Sequence, residues 1–336
     1  MPPERKRRIA VLGAGAWGTA LANLAARGGD GHASVVLWTK DPAHADEMRA
    51  TGVNARRLPG IPLLSGVNPT AEPAEIEGAE FVLAAVPAQA LRPVLETFAQ
   101  YIEEGAPVII CAKGFERATG QFLSEAASAL LPKNPPAVLS GPSFAKEVAQ
   151  GLPTAVTLAA HDGALAAKLA AALASPSFRL YSSSDVRGVE IGGAAKNVLA
   201  IASGTTAGRG LGASAGAALI ARGFAELSRF GRAYGAETAT LAGLSGLGDL
   251  VLTCTGDLSR NRTVGIELAG GRKLDEIVSS MKMVAEGIKT TDAAVELAAR
   301  HGVEMPIAGQ MFEMLHAGAS PQEAIRRLME RSLKGE

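Results

Sequence analysis

The sequence has few cysteines, no excess of either charge and no long uninterrupted apolar run. Cys111 and Cys254 are the only two cysteines among 336 residues, which is too few for a disulfide framework and suits a reducing cytoplasm. Basic and acidic side chains number 33 each, so long-range charge favours neither nucleic acid nor an anionic membrane as a partner. The apolar stretch 191–207 is interrupted by Lys196, Asn197 and glycines, so no membrane span is predicted. The five histidines show no paired spacing, and no metal site is predicted.

Glycine is abundant, and an early cluster of glycines lies between a strand pattern and a helix pattern. Residues 8–12 predict a buried strand, and Gly13, Gly15 and Gly18 form a GxGxxG motif before a helix. The first glycine permits a tight turn, the second lets the backbone approach phosphates, and the third allows close helix–strand packing. A second strand pattern, residues 34–38, follows at βαβ distance. The stretch therefore predicts a dinucleotide site, with the pyrophosphate at the helix N-terminus.

Two other interpretations of this N-terminal stretch stay open. Basic residues 5–8 before an apolar run resemble a secretory signal peptide, although the βαβ pattern needs the same residues to complete its sheet. The glycines also fit an ordinary strand-to-helix turn that binds no ligand.

The end of the second strand bears on the choice of coenzyme. In a dinucleotide fold this position meets the adenosine ribose, where a carboxylate accepts from the 2′-hydroxyl and a cation accommodates a 2′-phosphate. Lys40 comes first and Asp41 follows, so the sequence favours NADPH without excluding NADH. The alternative interpretation of Lys40 is a solvated lysine in a loop.

Further candidate site residues follow strands or lie in unusual helical surroundings. Lys113 follows the strand pattern 107–111, at the carboxyl edge where doubly wound sheets bind ligands. Residues 141–145 follow another strand pattern and offer a hydroxyl and backbone amides. Lys196 lies in a small, apolar helical stretch, where burying an ammonium group without a task is costly. Residues 247–262 are interpreted as a polar loop that gathers a carboxylate, hydroxyls and cations.

The order of these patterns predicts the fold class. Strands alternate with helices as far as about residue 185, and helical periodicity alone continues beyond it. The predicted fold is α/β, with an N-terminal Rossmann-type, mostly parallel sheet domain followed by an all-α C-terminal domain. We assign residues 1–187 to dinucleotide binding and residues 188–336 to substrate binding and catalysis.

Seven motifs make the chain resemble the bacterial-type NAD(P)-dependent glycerol-3-phosphate dehydrogenases. They include Ala-Lys-Gly, Gly-Gly-Ala-Ala-Lys-Asn-Val and Ser-Arg-Asn-Arg, and they occupy residues 13–21, 112–114, 140–147, 192–198, 246–255, 259–262 and 284–287. The resemblance implies a cytoplasmic oxidoreductase that reversibly reduces dihydroxyacetone phosphate to sn-glycerol 3-phosphate with NADPH or NADH. This reaction supplies glycerophospholipid synthesis, and the resemblance also suggests a homodimer.

The resemblance assigns roles to individual residues as well. It implies Lys196 as the general acid and base, with Lys113 and Asp249 beside it in the catalytic set. The coenzyme contacts expected from the glycine motif and the resemblance are Gly13, Gly15, Ala16, Trp17, Gly18, Lys40, Lys113, Ala145, Arg260, Val284 and Glu286. The substrate contacts that it implies are Lys113, Gly141, Ser143, Lys196, Asp249, Ser259, Arg260 and Asn261.

The chain departs from the family pattern after the Lys196 helix. Ala207, Ser214 and Gly216 stand where the family has an acidic residue, an Asn and an Arg. All three positions lie outside the expected site, so they bear on helix packing or subunit contacts more than on the chemistry.

Two other functions stay open from the residues alone. A 6-phosphogluconate or 3-hydroxyacid type dehydrogenase shares the same plan and also uses a lysine, but the stretch 259–262 argues against it. A dinucleotide sensor without turnover is the second, and it has no need of a buried acid and base.

Lys40→Asp tests the coenzyme preference. We expect the KM for NADPH to rise about ten- to a hundredfold, and the KM for NADH far less, because one charge-assisted contact contributes about 1.5–3 kcal/mol. Steady-state kinetics with each coenzyme measure the two constants. Equal changes in both would identify Lys40 as a solvated loop lysine.

Overall fold

The computed structural model describes residues 7–28, 33–281 and 285–331, and the chain divides into two compact units. The first unit comprises the residues up to Ala112 together with Gln121–Val189. The second comprises Lys113–Gly120 together with the residues from Glu190 onward. The domain boundary at residues 187 and 188 stays a prediction, and the sequence did not indicate that Lys113–Gly120 groups with the second unit.

The first unit contains a twisted sheet with helices between its strands. Among the described residues the sheet has eight strands in the order β3-β2-β1-β4-β5-β6-β7-β8, and every neighbouring pair is parallel except β6 and β7. Its strands and helices are β1 (Arg8–Leu12), α1 (Ala16–Arg27), β2 (Ser34–Trp38), α2 (Pro42–Thr51), β3 (Val67–Thr70), β4 (Phe81–Ala84), α3 (Leu91–Phe98), β5 (Val108–Ile110), α4 (Leu123–Leu130), β6 (Pro136–Ser140), α5 (Ala145–Ala149), β7 (Thr154–Ala160), α6 (Gly163–Leu173) and β8 (Phe178–Ser183). The predicted mostly parallel sheet is confirmed.

Strand β1 shows why the sheet strands read as continuous apolar runs. Its side chains alternate between the two faces of the sheet, as in any strand. Ile9 and Val11 belong to one buried cluster, whereas Ala10 and Leu12 belong to another. Because both faces are covered, every position along the strand is selected to be apolar.

Strand β3 was not predicted from the sequence. It consists of the four residues Val67–Thr70 and contains Pro69, which is paired in register with Leu37 of β2. A proline cannot donate to the sheet ladder, so it is accepted in an edge strand that has a neighbour on one side alone. The position of the strand at the sheet edge therefore accommodates a sequence with little strand character.

The second unit is helical in the residues described, as predicted. Its elements, apart from the first turn of the opening helix, are α7 (Val186–Gly208), α8 (Gly212–Ala233), α9 (Thr238–Ala242), a π-helical turn (Leu244–Gly248), α10 (Asp249–Thr255), α11 (Arg260–Ala269), α12 (Leu274–Ser280), α13 (Glu286–Arg300), α14 (Pro306–His316) and α15 (Pro321–Met329). In α7, a Cβ on Gly192 would lie 2.5 Å from the carbonyl oxygen of Ser245 in the π-helical turn. Glycine at this position lets the backbones of the two elements approach closely.

The interpretation of residues 247–262 as a loop was wrong. Helix α10 covers Asp249–Thr255 and helix α11 begins at Arg260, so most of the stretch is helical. Its polar side chains have low helix propensity by themselves. Asp249 and Thr253 are nonetheless buried, and their hydrogen-bond partners lie on other elements of the unit, so tertiary contacts override the local preference.

A buried carboxylate links α8 to the start of α14. Glu226 is 2% exposed and accepts hydrogen bonds from the backbone N–H groups of Ile307 (2.7 Å) and Ala308 (3.3 Å). N–H groups in the first turn of a helix have no partner within the helix, and the helix dipole favours an acceptor there. Burial raises the pKa of Glu226 to about 7, although the two N–H groups act in the opposite direction.

Glu226→Gln tests this linkage through the pH dependence of stability. A carboxyl group whose pKa is raised on folding stabilises the folded state fully below pH 4.5, and this stabilisation is lost as the pH rises towards 7. We expect the variant to gain about 3 kcal/mol relative to the wild type between these limits, because one pKa unit corresponds to about 1.4 kcal/mol. Unfolding in urea at pH 4.5 and pH 7 measures the change, with the exposed Glu330→Gln as control. A difference between variant and wild type that does not change with pH would contradict it.

Candidate active site

The turn between β1 and α1 has the geometry of a dinucleotide-binding turn. Gly13 has a φ of +109°, and a Cβ there would lie 2.8 Å from the carbonyl oxygen of Ala85. A Cβ on Gly18 would lie 1.8 Å from the carbonyl oxygen of Gly13. No described atom lies within 4 Å of the place that a Cβ on Gly15 would take. Two glycines thus pack against protein, and the third faces open space.

This turn fits the pyrophosphate of a nicotinamide dinucleotide. Gly15 is the N-cap of the 12-residue helix α1 and supplies no side-chain cap, so Ala16 and Trp17 present first-turn N–H groups at the positive end of the helix dipole. The open space beside Gly15 lets a phosphate approach these groups. The residues present therefore meet the requirements for binding such a group.

Asn54 supports the turn from outside it, and sequence reasoning missed this residue. Its side chain is fully buried, and its Nδ2 donates to the carbonyl oxygen of Ala14 (3.0 Å) and to Oγ1 of Thr19 (2.8 Å). Its Oδ1 lies 2.9 Å from Nε2 of His44 on α2. The sequence placed Asn54 at the start of a loop, where nothing local indicates that its amide is buried against the turn before α1.

The other predicted site residues of the first unit lie after β2 and β6. Lys40 is exposed at the end of β2, one residue before the N-cap of α2. Gly141 follows β6, and Oγ of Ser143 donates to the Gly141 carbonyl oxygen at 3.0 Å. Ala145 begins α5. Lys40 is thus accessible to solvent, and the hydrogen bond of Ser143 closes a local turn after β6.

In the second unit two lysines share one buried carboxylate. Asp249 is 1% exposed; Nζ of Lys113 donates to its Oδ2 at 2.6 Å, and Nζ of Lys196 donates to its Oδ1. Lys196 is itself 6% exposed and lies on α7, whereas Asp249 is the first residue of α10. The structure thus brings together the three residues assigned to the catalytic set.

Thr253 belongs to the same cluster, although the sequence did not indicate it. Its Oγ1 accepts from Nζ of Lys196 at 2.8 Å and donates to the Asp249 carbonyl oxygen at 2.7 Å. Asp249 and Thr253 are four residues apart, which places them on one face of a helix. That spacing was the available signal, and it was lost because the stretch was interpreted as a loop.

The surroundings of Lys196 bring its pKa close to neutral pH. Burial lowers the pKa of Lys196 to about 7, the Asp249 carboxylate acts in the opposite direction, and the Lys113 ammonium group lowers it further. The sequence alone left the direction of this balance undecided. A lysine with a pKa near 7 can both donate and accept a proton at neutral pH.

Residues near the start of α11 form a second group in this unit. Asn261 is 7% exposed; its Nδ2 donates to Oδ1 of Asn197 (2.9 Å), and its Oδ1 accepts from the Gly287 N–H (2.9 Å). Ser259 is the N-cap of α11, and its Oγ accepts from the Arg262 N–H at 3.3 Å. Asn261 thus connects three helices, α7, α11 and α13.

Arg260 is exposed at the first position of α11, with the positive end of the helix behind it. Partial desolvation lowers the pKa of Arg260, and the carboxylate of Glu286 acts in the opposite direction. Glu286 begins α13, and Val284, another expected coenzyme contact, lies outside the described residues. Arg260 thus places a guanidinium group at the N-terminus of α11.

Comparison with known proteins identifies the family. Residues 8–166 match the NAD-dependent glycerol-3-phosphate dehydrogenase N-terminus, and residues 185–326 match the C-terminus of the same family. The chain belongs to this family. The predicted fold class, enzyme class and use of a nicotinamide coenzyme are therefore confirmed, and the glycerol-3-phosphate dehydrogenase acts on a small-molecule substrate.

Individual relatives agree with this assignment over nearly their whole length. A protein of Beijerinckia indica named glycerol-3-phosphate dehydrogenase (NAD(P)+) is 58% identical over 332 residues, covering 99% of this chain and 98% of its own. A protein of the same name from Rhodospirillum rubrum is 52% identical, covering 98% and 93%. The crystal structure of a glycerol-3-phosphate dehydrogenase from Coxiella burnetii is 41% identical, with a TM-score of 0.92 over 97% of this chain and 99% of that one.

Two features are absent from residues 7–28, 33–281 and 285–331 of this dehydrogenase. None of its described helices combines the length and the apolar character that crossing a bilayer requires. No group of three or more His, Cys, Asp or Glu side chains is arranged as metal ligands in the same part of the chain.

Thr253→Val tests how the cluster tunes Lys196. Removing an acceptor of the ammonium group destabilises the charged form of Lys196, so its pKa falls from about 7 to a lower value. A hydrogen bond to a charged group contributes about 1.5–3 kcal/mol, so we expect the alkaline limb of kcat/KM for carbonyl reduction to move about one to two pH units lower.

Two further variants serve as controls for this prediction. Thr253→Ser keeps the hydroxyl and restores the wild-type limb. Thr255→Val removes a hydroxyl of the same helix that donates to the Val251 carbonyl oxygen at 2.8 Å, and it leaves the limb in place. If the alkaline limb of kcat/KM did not move in Thr253→Val, Thr253 would have no influence on the proton transfer by Lys196.

Proposed function

We propose that the chain reduces dihydroxyacetone phosphate to sn-glycerol 3-phosphate with Lys196 as the general acid, and that Lys196 is the general base in the reverse direction. The observation that carries this proposal is the buried Lys196, which donates to Asp249 and Thr253 and has a pKa of about 7. The nicotinamide coenzyme, when bound, supplies the hydride. The protein must then supply a proton for the C2 oxygen, because a ketone becomes an alcohol only with both.

The hydrogen bonds of Lys196 support this role geometrically. An ammonium group has three N–H donors. Among the described residues, Asp249 and Thr253 accept two of the three N–H groups of Lys196, and this leaves one donor for a substrate oxygen. Two fixed acceptors hold the ammonium group in one orientation, so the remaining N–H points in a defined direction.

Asp249 and Lys113 assist in different ways. Asp249 holds the two ammonium groups close together despite their repulsion, because its two oxygens bind one lysine each. Lys113 is 18% exposed in its side chain and lowers the pKa of Lys196, which favours release of the proton. We assign Lys113 to stabilising negative charge on the substrate and Asp249 to positioning.

Arg260 is the residue that we assign to the substrate phosphate. A guanidinium group donates two parallel hydrogen bonds to a phosphate, and the N-terminus of α11 adds N–H groups and a favourable dipole. Ser259 caps this helix, and Asn261 holds it against α7 and α13, so both support the binding position. Gly141 and Ser143 complete the proposed substrate contacts.

The coenzyme site of the proposal is centred on the turn before α1. It comprises the glycines and first-turn residues of that helix, with Lys40 at the adenosine ribose favouring NADPH. The remaining proposed contacts of the coenzyme are Lys113, Ala145, Arg260, Val284 and Glu286.

The cellular role forms a further part of the proposal. Cys111 and Cys254 are both buried and are not joined in a disulfide, which suits a reducing cytoplasm. The product is the phosphorylated three-carbon backbone on which glycerophospholipids are built, so we assign the reaction to their supply. The homodimer rests on the family resemblance.

Lys196→Met tests the assignment of the general acid. We expect turnover of dihydroxyacetone phosphate to fall by about 10²–10⁴, because general acid catalysis contributes a factor of this size. NADPH binding, followed by fluorescence quenching, stays near the wild-type value. Lys133→Met is the control, since Lys133 forms an exposed ion pair with Glu104 on the first unit.

Two outcomes would contradict the proposal in different ways. Retention of more than about a tenth of wild-type turnover in Lys196→Met would exclude Lys196 as the essential acid and direct attention to Lys113. Coenzyme binding by the wild type without turnover of any phosphate ester would favour the dinucleotide sensor.

Arg260→Lys tests the phosphate contact. A lysine keeps the charge but cannot reproduce the two parallel bonds, so we expect the KM for dihydroxyacetone phosphate to rise about tenfold and kcat to fall as well. Arg262→Lys, two residues further along α11 and paired with Asp257, is the control. Unchanged constants for Arg260→Lys would assign the phosphate to other groups.

A further inference from the structure

The end of β2 carries two opposite charges that favour different coenzymes. Lys40 suits a ribose 2′-phosphate, whereas the adjacent Asp41 is the kind of residue that accepts from a 2′-hydroxyl and repels a phosphate. Both residues have solvent-exposed side chains, so neither charge is removed by burial. A preference for NADPH therefore requires that a nearby positive charge offset the negative charge of Asp41.

Arg56 binds this carboxylate directly. Its Nη1 donates to Oδ2 of Asp41 at 2.8 Å, and its Nε donates to Oε2 of Glu47 at 2.6 Å. The hydrogen bond that Arg56 donates to Glu47 raises the pKa of Arg56, partial desolvation opposes the effect, and the bond that it donates to Asp41 adds to it. The guanidinium group is thus permanently charged and lies between two carboxylates at the start and middle of α2.

Asp41 is ionised at neutral pH. Its desolvation would raise its pKa, but the backbone N–H of His44 and the Arg56 guanidinium group together hold the pKa of Asp41 below its ordinary value. Its negative charge is therefore not lost by protonation at neutral pH. The positive charge of Arg56 is what offsets it.

The chain segment that carries Arg56 is anchored to the coenzyme turn. Asn54, two residues earlier, donates to the Ala14 carbonyl oxygen, and the N–H of Leu58 donates to the Asn54 carbonyl oxygen at 2.8 Å. These bonds connect the segment around Arg56 to the turn before α1. The position of Arg56 relative to the coenzyme turn is consequently set by the fold and is more than a chance surface contact.

We propose that Arg56 is a specificity-determining residue for the coenzyme, which neutralises and holds Asp41 so that this carboxylate does not repel a ribose 2′-phosphate next to Lys40. The inference rests on the proposed coenzyme site and adds a residue that acts through Asp41. An exposed ion pair of this kind contributes little to folding stability. The ion pair acts instead on the local electrostatic potential at the ribose 2′-phosphate, which carries nearly two negative charges.

The test compares four proteins: the wild type, Arg56→Ala, Asp41→Asn and the double variant Asp41→Asn with Arg56→Ala. The quantity measured is kcat/KM for NADPH divided by kcat/KM for NADH, with dihydroxyacetone phosphate as substrate. We expect Arg56→Ala to lower this ratio about tenfold through the KM for NADPH, and to do so less at high salt, where exposed charges are screened. Asparagine caps a helix as well as aspartate does, so Asp41→Asn preserves α2.

The double variant shows whether Arg56 acts through Asp41 or independently of it. If Arg56 acts by offsetting Asp41, removing the carboxylate as well restores the ratio to within about twofold of the wild type. A ratio that stays as low as in Arg56→Ala would overturn the proposal, as would an unchanged ratio in Arg56→Ala. Arg49→Ala is the matched control, because it removes an arginine charge of α2 that is paired with Asp46.

Failure of the proposed coenzyme preference is distinguishable from failure of this inference. If Lys40→Asp changes both coenzymes equally but Arg56→Ala still lowers the ratio and Asp41→Asn restores it, the role of Lys40 is wrong and that of Arg56 stands. If Lys40→Asp behaves as expected and Arg56→Ala does not, the role of Arg56 is wrong.

Discussion

The second unit depends on one buried negative charge. Asp249 is almost completely shielded from water, and a carboxylate in such a position is stable only when its charge is compensated. Lys113 and Lys196 compensate it together, and Thr253 satisfies a further donor of Lys196. The same burial that makes the carboxylate dependent on its partners lowers the pKa of Lys196 into the range of acid–base catalysis.

Close helix packing makes this cluster geometrically feasible. Helix α7 carries Lys196, and glycines on the same helix let neighbouring backbones approach it. A Cβ on Gly204 would lie 2.0 Å from the carbonyl oxygen of Arg262 on α11, and one on Gly265 would lie 2.0 Å from the carbonyl oxygen of Ile201. Small residues on α7 and α11 therefore bring the elements that carry the proposed catalytic and phosphate-binding residues within hydrogen-bond reach of each other.

The predictions from sequence were most accurate where the signal is local. The strand, turn and helix around Gly13 were predicted correctly, because a φ of +109° and the contact between Gly18 and the Gly13 carbonyl group each require glycine. The edge strand β3 and the helix α10 were missed, since neighbours that are distant in the sequence stabilise both elements. Asn54 was missed for the same reason, because Ala14 and Thr19, its partners, are distant in the chain. Thr253 was missed because its stretch was interpreted as a loop, which concealed its helical spacing from Asp249.

The sequence by itself determined the fold class, the glycine turn before α1 and the position of Lys196 in an apolar helical stretch, because hydrophobic periodicity and residue spacing are visible in the order of residues. Only the tertiary structure decided that Lys113 and Lys196 share Asp249, that the pKa of Lys196 is lowered to about 7, and that Arg56 holds Asp41. The physical reason is that electrostatic interactions depend on distance and burial, and the chain order specifies neither.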